Sequence, residues 1–232
     1  VTLLGVTGNA AISSTTDTSV FIFGGQRIRI ENLTLSGPEI PLSVDSSYVT
    51  LVDVTVEGSN DNGIDAVDGS HLNIEDSRIR DNGGAGIIIE KGGTLDLDDS
   101  VVSGNARTGV ALSKNSSSVI TNSQISGNLN GPGLSVSESS SAKIQGETLI
   151  SGNERSGIDV ALHSAVRVFS TTEVSGNGES GLFLAKDAGS EIIGPVVISG
   201  NADAAVRCDD AESSISIQDY SNINQAVFCT GF

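Results

Sequence analysis

The chain has no methionine and no tryptophan, and its 232 residues include only two tyrosines, six phenylalanines, four prolines and two cysteines. A core must therefore be built from Val, Ile and Leu, and the commonest sugar-stacking side chains are scarce. Basic residues are few as well: 12 Lys and Arg stand against 29 Asp and Glu, for a formal net charge of −17. Affinity for nucleic acid and for anionic membranes comes largely from Lys and Arg, so this balance opposes both partners. No stretch approaches the roughly 20 apolar residues of a membrane span, which argues against membrane insertion, and no basic-plus-apolar signal segment opens the chain. A first residue other than Met reads as a processed product or a piece of something longer.

What is present is a repeat. The stretch SGNARTGVAL at 103–112 returns as SGNLNGPGLSV at 126, SGNERSGIDV at 151, SGNGESGLFL at 175 and SGNADAAVRC at 199, with a looser RDNGGAGIII at 80. Its asparagines are Asn82, Asn105, Asn128, Asn153, Asn177 and Asn201, spaced by 23, 23, 25, 24 and 24. Such a period means stacked units, each too small to bury its apolar face alone. Within each unit apolar residues alternate with polar ones, the signature of short strands. Three strands per unit of 21 to 25 residues leave little room for helices, so the unit coils and equivalent strands of successive rungs pair in parallel about 4.8 Å apart.

The pattern predicts an all-β fold, a single right-handed parallel β-helix of nine to ten rungs over residues 1–232. With its inward asparagine ladder and small-residue turns, the sequence resembles the pectin-lyase-like family. That resemblance implies an architecture more strongly than an activity, since the scaffold hosts lyases, hydrolases, epimerases, tailspikes and adhesins. From Ile28 onward the register is clear: Ile28, Ile30, Leu33 and Leu35 map onto Val49, Leu51, Val54 and Val56 with a shift of 21. Residues 1 to 26 are the least regular, and no amphipathic helix closes the first rung. An open rung invites pairing, so an N-terminal capping segment or a second copy is an expected partner.

Several residues are candidates for chemistry. Cys208 and Cys229 fall in equal register at a shift of 21 in the last rungs, 205–232. Their Cα atoms should then lie about 4.8 Å apart, inside the disulfide window of roughly 4.4 to 6.8 Å; stacked buried thiols are the alternative. A bridge implies an oxidising compartment outside the cytoplasm. Asn32, Asp53, Asp76, Asp99 and Asn122 form a second column in the turn between the second and third strands. Carboxylates so close repel by about 1 kcal/mol in water. Bound Ca²⁺, backbone N–H groups, or rotation into solvent can offset that, so Asp53, Asp76 and Asp99 are candidate calcium ligands although no cofactor is required. Outward positions of the first strand end in Phe183, Arg207 and Phe228, a candidate sugar platform, cation–π stack or oligomer contact. Asp65 and Asp159 share that column but lie four rungs apart. Pectate lyases of similar fold combine an arginine base with calcium-holding aspartates, and Arg78 and Arg80, near Asp53 and Asp76, are the nearest approach to that set. His71 and His163 lie four rungs apart and cannot cooperate.

The regular rungs carry no long loops to wall a substrate groove. The expected function is thus a secreted or surface-exposed structural or recognition module, such as a spike, stalk or adhesin segment of a cell or virion, facing carbohydrate without catalysis. The competing reading is a polysaccharide lyase, hydrolase or epimerase working on an outer face.

Overall fold

In the computed structural model, which describes residues 1–5, 10–169 and 171–229, the chain winds as a right-handed parallel β-helix. Residues 6–9 of the irregular opening stretch and 230–232 of the last rungs lie outside the described residues. The described residues form 27 strands and no helix. They make two sheets: one of ten strands, taking the first strand of each rung, and one of seventeen, taking the second and third. In the ten-stranded sheet every pairing from Val20–Phe23 to Val227–Phe228 is parallel.

Alternation along each strand puts one set of side chains inside the coil. On the second strand the inward set includes Ile30, Leu51, Ile74, Leu97, Ile120 and Ile144, stacked in register and each at most 1% exposed. Burying one such side chain is worth about 1.5–3 kcal/mol, and each rung lends its apolar edge to the next. The opening stretch joins this register. Thr2–Leu4 pairs with Arg29–Glu31, Ala11–Ser13 with Thr34–Ser36, and Val20–Phe23 with Leu42–Asp45.

Polar ladders complete the core. Each asparagine Nδ2 donates to the Oδ1 of the next: Asn82 to Asn105 at 2.9 Å, Asn105 to Asn128 at 3.0 Å, Asn128 to Asn153 at 2.8 Å, Asn153 to Asn177 at 3.0 Å and Asn177 to Asn201 at 2.9 Å. Each of these oxygens also accepts the backbone N–H of the preceding asparagine. The ladder runs one step further than the sequence pattern indicates, because Gln225 accepts from Asn201 at 3.3 Å. Two serine and threonine ladders line other turns, for instance Ser77 to Ser100 to Ser123 and Ser116 to Ser140 to Ser164, each hydroxyl accepting the backbone N–H of the rung before. Cys208 and Cys229 are bridged, with Cα atoms 4.8 Å apart.

Candidate functional site

Of the outward columns on the second strands, two build the candidate face. One runs Arg27, Tyr48, His71, Thr94, Ser117, Ser141, Ala165 and Gly189; the other runs Arg29, Thr50, Asn73, Asp96, Val119, Lys143, Arg167 and Glu191. Both follow from the period-two alternation, since residues flanking an inward side chain must point out. The first column changes from large to small along the helix, so Ser117, Ser141 and Ala165 form a low floor. The floor lies in a shallow groove of about 620 Å³ edged by Asp96, Lys143, Arg167 and Phe169.

At one end of this face four rungs bring unlike groups together. The Arg27 guanidinium lies 4.4 Å over the centre of the Tyr48 ring, and the Tyr48 and His71 rings stand 5.4 Å apart. His71 Nδ1 is 2.6 Å from Thr94 Oγ1, and its Nε2 is 3.7 Å from Asp96 Oδ2. Further along, the Lys143 ammonium sits 5.0 Å over the Phe169 ring, while Arg167 pairs with Glu191 at 3.1 Å. Among the described residues neither Arg27 nor Lys143 forms a salt bridge; both cations rest on aromatic faces. Such a cation keeps its charge for an incoming anion. A hydroxyl-bound imidazole beside a phenol is also a usable proton-transfer pair. In the sequence His71 stands out only beside the distant His163; the signal that finds it is the register linking Tyr48, His71 and Thr94 across rungs.

The residues singled out from sequence fall elsewhere. Arg78 and Arg80 stand on the third strand, and Arg80 is held by Glu57 at 2.6 Å and Asp81 at 3.3 Å, so it is engaged away from Asp53 and Asp76. Those aspartates, with Asn32, Asp99 and Asn122, all adopt left-handed backbone with φ between 45 and 55°, a conformation Asn and Asp tolerate better than most residues. The column exists because the turn needs that conformation. Among the described residues no group of three or more His, Cys, Asp or Glu is placed to hold a metal ion, Asp53, Asp76 and Asp99 included. Crowding still has a cost: burial first, then the charges of Asp99, Glu75 and Asp76, push the Asp98 carboxyl above its ordinary range.

Phe183, Arg207 and Phe228 are adjacent in register, yet they form no cation–π stack. The Arg207 guanidinium turns to Asp203, four residues earlier, at 3.0 Å. Phe183 and Arg207 share a surface cleft that Phe228 does not line.

No curated protein sequence matches the chain. Among solved structures it is similar to the A-module of the Azotobacter vinelandii mannuronan C-5 epimerase AlgE4, with TM-score 0.72 and 16% identity over 89% of this chain and 64% of that one. It is also similar to the periplasmic alginate epimerase AlgG, with TM-score 0.69 and 17% identity over 84% of this chain and 51% of that one. The chain thus spans less than two thirds of the length of either, and at these identities the likeness is one of fold. No helix among the described residues is long and apolar enough to cross a membrane. The profile described as right handed beta helix region matches residues 5–125 and 108–231, nearly the whole chain, and the chain belongs to that family.

Proposed function

We propose that this β-helix is a carbohydrate-facing module that lays an acidic polysaccharide along the outer face of its second strands. One observation carries the reading: a groove floored by Ser117, Ser141 and Ala165 is edged by Lys143, and Arg27 stands on the same face three rungs before its Thr94 end; both cations are held on rings and neither forms a salt bridge among the described residues. On a molecule of charge −17, unneutralised cations on one face of the helix suit a polyanion. The similarity in fold to two alginate epimerases supports a uronate polymer. The disulfide supports an extracellular or periplasmic setting. No cofactor is required for this binding, so EDTA should leave it unchanged.

Affinity electrophoresis in gels containing polymannuronate or polygalacturonate tests the reading. Retardation should weaken with added salt and drop in Arg27→Ala and Lys143→Ala, with neutral glucan gels giving none. Equal retardation by neutral glucan, or none by either polyuronate, would sink it.

A second reading adds catalysis, and the contact between Tyr48 and His71 favours it. Abstraction of the proton on the carbon next to a uronate carboxylate needs a base and a cation near that carboxylate, and His71, Tyr48 and Arg27 could supply both. Proton NMR of polymannuronate incubated with the protein should then show altered residues or unsaturated ends, lost in His71→Ala. A spectrum that never changes removes catalysis and leaves the binding reading.

A further inference from the structure

We propose a second carbohydrate site, selective for neutral sugars, in the cleft on the ten-stranded sheet around Phe183. This face is separate from the polyanion groove, and the argument does not rest on that groove. The cleft has a volume of about 470 Å³. Phe183 lies between Asp159 and Arg207 in register and points outward. Two ion pairs flank its ring: Arg155 with Glu179 at 3.3 Å, and Arg207 with Asp203 at 3.0 Å. Hydroxyls from the turns fix the carboxylates, Ser180 donating to Asp203 at 3.0 Å and Ser156 to Glu179 at 3.4 Å.

Exposed ion pairs contribute little to stability, so two of them arrayed about a ring call for another explanation. Each guanidinium is already paired and Asp209 adds a further carboxylate to the lining, so the cleft holds fixed donors and acceptors with no free cation and offers an anion little. A sugar's adjacent hydroxyls both donate and accept, which matches carboxylate beside guanidinium, and its C–H face stacks on an aromatic ring. On the preceding rung of the same outward column, Asp159 Oδ1 is buried without a hydrogen-bond partner, an acceptor that a sugar hydroxyl reaching it beside the Phe183 ring would satisfy. Burial raises the Asp159 carboxyl above its ordinary range, with Ser156 and Arg155 opposing the shift.

The test is isothermal calorimetry with three neutral hexasaccharides, a β-1,4-glucan, a β-1,3-glucan and a β-1,4-mannan, and with hexagalacturonate as the charged comparator. At least one neutral hexasaccharide should bind, Phe183→Ala should weaken it about tenfold or more, and Phe183→Tyr should restore it. Arg155→Gln, remote from the core, provides an independent loss if Phe183→Ala melts at a lower temperature. Binding by none of the three, binding unchanged in both Phe183→Ala and Arg155→Gln, or Phe183-dependent binding of hexagalacturonate alone would each overturn the proposal.

Discussion

At the scale of single residues, the outward column of the first strand holds a carboxylate that works against the fold at neutral pH. Asp65 is half-buried between Ser43 and Ile88, and its Oδ1 is buried with no partner. Burial, followed by Asp61 and Glu90, pushes its pKa up to about 6, with the Asn62 side chain opposing. The folded protein thus holds this proton more tightly than the unfolded chain does. The contribution to stability is fully present below the ordinary carboxylate pKa of about 3.9 and is lost as pH rises through about 6. Asp65→Asn removes the charge without changing the shape. The variant should melt higher than the parent above about pH 7, and the difference should shrink toward about pH 4. Thermal melts followed by circular dichroism across that range check it; a difference independent of pH would mean that Asp65 does not titrate in this window.

At the scale of the rung, the motif SGN followed by Gly four or five residues on is one device built from two columns. A Cβ on Gly133 would stand 2.7 Å from Asn153 Nδ2 and 2.8 Å from the Gly157 carbonyl oxygen, and Gly86, Gly109 and Gly157 meet the same pair of groups one rung along. The asparagine ladder therefore requires a residue without a side chain beside it, and the amide stack and the glycine column stand or fall together. Gly133→Ala should cost about 2–3 kcal/mol, because neither backbone nor a fully bonded amide can move away. Gly189→Ala meets nothing within 4 Å and should change stability by less than about 0.5 kcal/mol. Urea denaturation of both variants distinguishes them; comparable losses would mean that the column is not packed against the ladder. The repeat made this device visible in the sequence as a pattern, and the inward slots and the equal register of Cys208 and Cys229 were legible in the same way, because each recurs with the period. Groups that occur once were not. Arg27, Tyr48 and His71 are separated by 21 and 23 residues, and nothing local in the chain marks them as neighbours. The aspartate turn column is legible as a column but its cause is not, since the left-handed backbone that accounts for it leaves only a composition bias. The column of Arg207 follows from the alternation, whereas its preference for Asp203 over the flanking rings depends on a turn whose shape the alternation does not encode.

At the scale of the whole molecule, a solenoid has few contacts between distant rungs, so its stability is distributed along one dimension and can be lost from an end. The last rungs are held only weakly by packing. The strand Val227–Phe228 is two residues long and Phe228 is 58% exposed, whereas the central rungs stack Leu, Ile and Val with almost no exposure. The disulfide joins residues 21 apart on adjacent rungs, and closing a loop of that length is worth about 3 kcal/mol in the chain-entropy account. That is comparable to burying one or two large apolar side chains, so the bridge substitutes for packing that the final rung lacks. Reduction should therefore open the C-terminal rungs while the centre holds. Hydrogen exchange read by mass spectrometry, with and without reductant, should show protection lost in peptides covering 199–229 and retained in those covering 64–184. The double variant Cys208→Ser, Cys229→Ser should reproduce the reduced pattern without reductant. Protection that falls evenly along the chain would mean that the rungs unfold as one cooperative unit, and the one-dimensional account of this molecule would have to be given up.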